Sequence, residues 1–189
     1  MITYKSTRGG MENITASQAI LKGLADDGGL FVPETMPTMD FSLEDIKTMN
    51  YRELAYHVMK HYFGDFSKED LEGCINGAYD SKFDTPEIAP IRTAGDVKFL
   101  ELFHGPTLAF KDMALSILPY LMMKSAQKSK INKEVVILTA TSGDTGKAAL
   151  EGFANVEGTK ILVFFPQDGV SEIQKRQMIT QEGSNTCVI

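Results

Sequence analysis

The segment "EVVILTATSGDTGKAALEGFANVEGTKILVFF", residues 134–165, decides the fold class of the chain. Its two apolar, β-branched runs, 134–141 and 160–165, are typical of strands buried on both faces, as in a parallel sheet. Between them, the turn "SGDTG" (142–146) leads into a helical segment that ends near Asn155. A strand, a helix and a second strand in this order predict a parallel pair joined by a right-handed crossover.

The same alternation continues to the last residue. A second helix is predicted over 170–183 with Ser171 as its cap, and "SNTCVI" (184–189) begins a third strand. We therefore predict an α/β protein with a βαβαβ unit at 134–189. Because Ile189 falls inside an apolar strand that nothing completes, we expect the chain to be a truncated piece of a longer protein.

Residues before this unit divide into a helical part and a mixed part. Predicted helices, read from caps and apolar spacing, cover 15–29, 42–49, 50–64 and 67–79. Near Thr85 the pattern changes to two short strands in 89–103, followed by a helix over 111–129 that Pro119 kinks or splits. We predict two domains, a mostly helical one at 1–88 and a second one at 89–189.

Charge and composition exclude several classes of function. Nineteen basic against twenty-five acidic residues give a net charge of −6, and no Lys/Arg cluster is present. Nucleic acid and anionic membrane surfaces are therefore not expected partners. The polar start has no signal-peptide core, and two isolated cysteines predict neither disulfides nor zinc, so a cytoplasmic protein is expected. His57 and His61 are four residues apart, but Val58 breaks the HExxH zinc pattern, and we predict no metal site.

The turn after the first strand of the βαβαβ unit has features of an anion site. It is not a nucleotide-binding loop, because Thr141 stands where that motif needs glycine and Ala148 where it needs Ser or Thr. Two glycines nevertheless allow close backbone approach, and N–H groups at a helix start attract anions. Ser142, Asp144 and Thr145 add polar side chains. An ordinary capped turn between strand and helix explains the segment equally well.

A single lysine in "LELFHGPTLAFKD" (100–112) is the main candidate for covalent chemistry. Lys111 follows a Gly-Pro turn and three apolar residues, at the predicted start of a helix. Desolvation and the helix dipole both favour a neutral amine, the form that condenses with carbonyl groups, whereas Asp112 would favour the charged form if close. The alternative is a surface lysine whose stem lies along apolar groups while its amine stays in water.

Together these segments resemble the threonine synthase family of pyridoxal-phosphate enzymes. "LELFHGPTLAFKD" is similar to the family's lysine motif, and "TATSGDTGKAA" (139–149) to its substrate loop. "STRGG" (6–10) and "ILKGLADDGGLFVPETMP" (20–37) are similar to its opening domain. The resemblance implies a helical N-terminal domain and then the first part of a three-layer αβα domain of pyridoxal-phosphate fold type II. Family members are more than twice as long.

The resemblance also implies roles for individual residues. Lys111 would hold pyridoxal 5'-phosphate covalently and then move protons at substrate Cα and Cβ. The substrate would be O-phosphohomoserine, which water converts to threonine and phosphate. Ser142, Gly143, Asp144 and Thr145 would bind the substrate carboxylate, and Asp144 would also lie near the cofactor ring. The remaining cofactor contacts lie outside these residues, so the isolated chain is expected to be inactive, and whether it binds the cofactor stays open. The resemblance also allows an oligomer.

Two other readings remain open at this stage. One is a related pyridoxal-phosphate enzyme, either a phospho-lyase acting on an amino-alcohol phosphate or a serine/threonine dehydratase. The lysine motif and the SGDTG loop do not separate these activities, whereas the opening segment favours threonine synthase. The other reading is a non-catalytic, truncated relative that only binds a partner or packs into an oligomer.

Overall fold

A computed structural model describes residues 1–189 and shows mixed α/β secondary structure. In chain order the elements are β1 (Tyr4–Ser6), α1 (Ala16–Lys22), β2 (Phe31–Pro33), α2 (Leu43–Ile46), α3 (Tyr51–Met59), α4 (Lys68–Ala78), β3 (Ile91–Ala94), β4 (Val97–Leu100), α5 (Asp112–Leu115), α6 (Leu118–Lys128), β5 (Val135–Ala140), α7 (Asp144–Phe153), β6 (Thr159–Phe164), α8 (Glu172–Ile179) and β7 (Thr186–Val188). No helix has the length and apolar character needed to cross a membrane.

The chain forms two compact units. The first comprises Met1–Ala78 and Tyr120–Asn132, and the second comprises Tyr79–Pro119 and Lys133–Ile189. The predicted domains, 1–88 and 89–189, differ from these units mainly because most of α6 joins the first unit. The side chains that link α6 to this unit come from α4 and from Phe66, whose ring centre lies 5.6 Å from Lys128 Nζ.

The first unit is mostly helical, with β1 and β2 paired antiparallel. One face of α4 is fully buried, with Leu71, Cys74, Ile75 and Ala78 at most 3% exposed. Close contact with α6 is possible because Gly77 has no side chain: a Cβ there would lie 2.5 Å from the Tyr120 ring. Lys124 and Lys128 of α6 also reach the Asp70 carboxylate, at 3.1 and 3.7 Å.

Capping residues start the helices of this unit where the sequence predicts. Thr15, Ser42 and Asn50 each accept a hydrogen bond from the third residue of their helix, whose side chain bonds back to the cap. The ends are less well predicted. α1 ends at Lys22 rather than near residue 29, because Gly23 takes a positive φ of 71° and stops the helix.

The second unit contains the predicted parallel sheet, in the order β5-β6-β7. α7 and α8 connect its strands, so the βαβαβ prediction is confirmed. An antiparallel hairpin, β3–β4, precedes it, and the two strands pair from Ile91↔Leu100 to Ala94↔Val97. This hairpin is the predicted pair of short strands within 89–103.

One prediction about the sheet is wrong: β5 is not buried on both faces. Its residues alternate between half-buried and exposed, and Val136 and Leu138 are 53% and 68% exposed. On β6, Ile161 and Val163 are fully buried, and α7 lies directly against Val163. The apolar run therefore predicted a strand of a parallel sheet, but the helices within these residues cover only one of its faces.

The predicted helix over 111–129 is divided, as Pro119 suggested. α5 ends at Leu115, and α6 begins at Leu118. Pro119 lies in the first turn of α6, where a missing N–H group costs nothing because first-turn N–H groups have no partner within the helix. The division isolates α5 as a single short turn of helix directly after Lys111.

We predict opposite effects of two alanine substitutions at helical glycines. In Gly152→Ala the new Cβ would lie 2.3 Å from the backbone oxygen of Leu115, which cannot move aside as a side chain would. We expect the free energy of unfolding to fall by about 1–3 kcal/mol. Gly73→Ala on α4 meets nothing within 4 Å, so it should raise that free energy by up to about 1 kcal/mol.

Urea denaturation followed by circular dichroism measures both changes. Similar destabilisation by the two substitutions would contradict close packing at Gly152, because both changes add the same methyl group to a helix.

Candidate active site

Lys111 lies where α5 begins, as predicted. It occupies the N-cap position, and its backbone carbonyl accepts from the Leu115 N–H at 2.9 Å. The side chain is half-buried, and its ammonium nitrogen lies 4.5 Å from the centre of the Phe110 ring. No carboxylate lies within 4.0 Å of that nitrogen. The amine of Lys111 thus forms no ion pair and lies next to an aromatic ring.

The turn before Lys111 is held in an unusual conformation. Leu108 has a positive φ of 61°, in the left-handed region, and its N–H donates to the Gly105 carbonyl at 3.1 Å. For a branched residue this conformation costs about 1–2 kcal/mol. Such backbone strain persists only where the surrounding structure fixes it, and it is often found near functional groups.

Asp112 supplies the contacts that fix this turn. Its side chain is 2% exposed, and its carboxylate accepts from the Thr107 N–H at 2.8 Å and from the Thr107 hydroxyl at 2.6 Å. Gly105 packs directly against it, since a Cβ there would lie 2.5 Å from the Asp112 Cβ. The Asp112 carboxylate therefore binds Thr107 rather than Lys111.

His104, just before the turn, is bonded through both ring nitrogens. Its Nδ1 lies 2.5 Å from Asp84 Oδ1, and its Nε2 lies 2.9 Å from Glu101 Oε2. Hydrogen bonds to Glu101 and then to Asp84 raise the pKa of His104 above its ordinary value. Sequence reasoning did not find this arrangement, because Asp84 lies twenty positions before His104.

The 142–145 loop leaves backbone donors free. Thr141, which the sequence analysis did not select, accepts from the N–H groups of Gly143 and Gly146 at 3.0 and 3.1 Å. The N–H groups of Ser142, Asp144 and Thr145 have no partner within the chain, and all three residues are exposed. These donors lie at the N-terminus of α7, which is the arrangement that binds anions.

A glutamine of α8 holds the loop from one side. Gln174 Nε2 donates to Asp144 Oδ1 at 2.9 Å. The same side chain packs over Gly143, where an added Cβ would lie 2.4 Å from it. Gln174 also closes the capping box with Ser171 at the start of α8. Sequence reasoning found the cap at Ser171 but not the contact with Asp144, because these residues are thirty positions apart.

Lys147 and Arg8 are basic side chains that could bind a phosphate group, and both have partners within the chain. Lys147 is bonded to Glu151 Oε2 at 3.1 Å and to Gln181 Oε1, and its side chain is 14% exposed. Arg8, in the first unit, donates to the Asp27 carbonyl at 3.0 Å. No group of three or more His, Cys, Asp or Glu side chains has the arrangement of a metal site.

Lys111 and the 142–145 loop belong to the same unit. They precede α5 and α7, and these helices touch where the Leu115 carbonyl meets Gly152. The half-buried amine of Lys111 therefore precedes one helix, and the exposed N–H groups of the loop precede another. These two helices are in direct contact. An amine of this kind forms covalent bonds to carbonyl compounds, and the donors fit a carboxylate or a phosphate.

Comparison with known sequences links the chain to one family. The family described as "Threonine synthase N terminus" matches residues 3–79. The threonine synthase of Pseudomonas aeruginosa is 42% identical over 187 residues, which are 96% of this chain and 39% of that protein. The threonine synthase of Schizosaccharomyces pombe is 38% identical over 194 residues, which are 97% of this chain and 38% of that protein. The chain thus spans about two fifths of these relatives.

Solved structures give the same result. The structure described as pyridoxal-phosphate-bound threonine synthase from Brucella melitensis has a TM-score of 0.89 and 37% identity; the match covers 100% of this chain and 40% of that one. Yeast threonine synthase also has a TM-score of 0.89, at 34% identity, over 99% of this chain and 40% of its own. The two-unit fold described above is therefore that of the corresponding part of these enzymes.

We predict that Asp112 and Thr107 act as one stabilising pair. Asp112→Asn leaves a single acceptor oxygen for two donors, and Thr107→Val removes the hydroxyl, so each should lower the free energy of unfolding by about 1–3 kcal/mol. The double variant should lose less than the sum, because both changes remove the same hydrogen bond. Urea denaturation of the four proteins gives the coupling. Strict additivity would show that the contact contributes nothing to stability.

Proposed function

We propose, because the chain belongs to the threonine synthase family, that the protein converts O-phosphohomoserine and water to threonine and phosphate with the help of pyridoxal 5'-phosphate. This makes it a carbon–oxygen lyase acting on a phosphate. The observation that carries the proposal is that one unit contains both the Lys111 amine and the free N–H groups of the 142–145 loop. The chain spans about 40% of its relatives, so the activity is that of the whole protein.

The residues present fit the cofactor. Lys111 has an amine without an ion pair, and a primary amine is what a pyridoxal aldehyde requires. Asp144 stands at the start of α7 with its carboxylate oriented by Gln174, which suits a polar contact near the cofactor ring. The Brucella melitensis relative is described as binding pyridoxal phosphate. When bound, this cofactor withdraws electrons from the substrate and makes its Cα proton acidic.

Lys111 would serve this chemistry twice. Its Nζ would first hold the cofactor by a covalent bond, and the free amine would afterwards accept and return protons at substrate Cα and Cβ. The buried Thr107–Asp112 contact holds the preceding turn, so the backbone that carries Lys111 would stay in place during the reaction.

The 142–145 loop would bind the substrate carboxylate. The N–H groups of Ser142, Asp144 and Thr145 face solvent without protein partners, and Gly143 takes a positive φ of 149° that suits glycine. Because Thr141 already satisfies two other N–H groups of this turn, the loop holds its shape before any ligand arrives. The hydroxyls of Ser142 and Thr145 are further donors in reach of solvent.

A different member of the family remains the main competing function. Relatives named threonine synthase-like 2, from Xenopus laevis and Rattus norvegicus, are 36% and 35% identical to the chain. A phospho-lyase or a serine/threonine dehydratase would use Lys111 and the loop in the same way. Phosphate or ammonia release from O-phosphohomoserine, amino-alcohol phosphates, serine and threonine separates them. A non-catalytic relative would turn over none of these substrates.

A cytoplasmic location is part of the proposal.

Substitution of Lys111 tests the proposal. In the natural protein, Lys111→Ala should abolish the visible absorbance of lysine-bound cofactor and lower phosphate release from O-phosphohomoserine by at least about 10²-fold. Lys98→Ala, at an exposed position of β4 in the same unit, should change neither quantity. A Lys111→Ala protein that keeps both the absorbance and the activity would place the cofactor on another lysine.

The isolated 189-residue chain gives a separate expectation. Because it spans about two fifths of its relatives, we expect no phosphate release from it above the level of its Lys111→Ala variant. A malachite-green phosphate assay measures this. Turnover near that of a full-length relative would show that these residues suffice for catalysis.

A further inference from the structure

We propose that His104 is a positioning residue: held as an imidazolium between Asp84 and Glu101, it anchors the 105–107 turn and so fixes the place of Lys111. This inference rests on the proposed role of Lys111 as the lysine that holds the cofactor. It assigns a function to a side chain that lies outside the candidate substrate loop.

The hydrogen bonds of His104 require the charged ring. Nδ1 and Nε2 each face a carboxylate oxygen, at 2.5 and 2.9 Å. An ionised carboxylate only accepts hydrogen bonds, so both ring nitrogens must donate, and only the imidazolium has two N–H groups. The side chains of His104 and Glu101 are 14% and 23% exposed, so water replaces the bond between them poorly, whereas Asp84 is 67% exposed.

The surrounding charges support the same state. Besides Asp84 and Glu101, Arg92 of β3 contacts this cluster: its Nε lies 3.7 Å from Glu101 Oε2, and its Nη1 binds Glu87 at 3.0 Å. Arg92 therefore shares Glu101 with the histidine. After loss of one ring proton, His104 would have a single N–H to donate. One of its two carboxylate partners, Asp84 or Glu101, would then lose its hydrogen bond.

His104 ties two parts of the second unit together. Its ring binds the Asp84 carboxylate, and its backbone carbonyl accepts from the Asp84 N–H at 3.0 Å. Glu101, its other partner, is itself fixed by an N–H bond to the Pro90 carbonyl. The segment that leads into the turn is thus attached to residues well before it in the chain.

The anchored segment continues directly to Lys111. Gly105 follows His104 and packs against Asp112, and the Asp112 carboxylate holds Thr107. Gly105, Thr107 and Asp112 are all buried. A displacement of His104 is therefore passed through close contacts to Asp112, the neighbour of Lys111, rather than absorbed by a flexible loop.

The effect must depend on pH in one direction. The pKa of His104 is raised in the folded protein, with Glu101 as the larger cause and Asp84 as the second. The anchor is therefore complete below the ordinary pKa of histidine and is lost as the pH rises through the higher folded value. Lys111 should therefore keep its position below the folded pKa of His104 and lose it above that pKa.

Selective labelling of Lys111 tests the proposal. The natural protein, freed of cofactor, is exposed briefly to pyridoxal 5'-phosphate and then to borohydride, and mass spectrometry gives the labelling ratio of Lys111 to Lys98. His104→Gln should lower this ratio roughly tenfold or more at about pH 6, below the ordinary pKa of histidine, because a displaced amine loses its favourable geometry. His61→Gln is the matched control: His61 is 17% exposed and binds Asp40 at 2.9 Å in the first unit.

A second variant gives an answer even if His104→Gln does not fold. In the unchanged protein the ratio should fall as the pH rises through the His104 pKa. Glu101→Gln removes the larger cause of the raised pKa, so that fall should move to lower pH. An unchanged midpoint in Glu101→Gln, or a folded His104→Gln protein that labels like His61→Gln, would overturn the role of His104. No preference for Lys111 in the unchanged protein would instead overturn the proposed function.

Discussion

The buried contact between Asp112 and Thr107 is the constraint on which the lysine segment depends. A carboxylate that is 2% exposed needs donors, and two of them come from one residue five positions earlier. Meeting that need closes the chain into a tight turn, forces Gly105 against the aspartate and places Leu108 in the left-handed region. The turn ends at α5, a short helix with Lys111 at its N-cap position. The position of the Lys111 backbone therefore follows from the hydrogen bonds that the buried Asp112 carboxylate requires.

The loop before α7 uses a related principle with the opposite result. Thr141 satisfies the N–H groups of Gly143 and Gly146, and Gln174 orients Asp144 from α8. These contacts fix the backbone but leave three other N–H groups open to solvent. In the lysine segment, by contrast, buried polar groups are fully used within the protein. In the proposed function, the loop with its unused donors and the turn with its unpaired amine would both be formed before a ligand binds.

Features determined by nearby residues were predictable from the sequence. The caps at Thr15, Ser42, Asn50 and Ser171, the division at Pro119 and the βαβαβ order all depend on local chemistry. Features that depend on distant partners were not. Gln174 meets Asp144 across thirty positions, and His104 meets Asp84 across twenty. Burial of β5 was misjudged for the same reason, since an apolar run shows what a strand prefers but not which elements cover it. The roles of Lys111 and of residues 142–145 stay predictions.

The uncovered face of the parallel sheet has a consequence for how the chain behaves in solution. Val136 and Leu138 are more than half exposed on β5, and Phe164 at the end of β6 is 42% exposed. Apolar surface on a strand attracts other apolar surface, and the β5 edge offers unpaired backbone groups beside it. This edge of the sheet is therefore the place where a further strand or a second copy of the chain would pair.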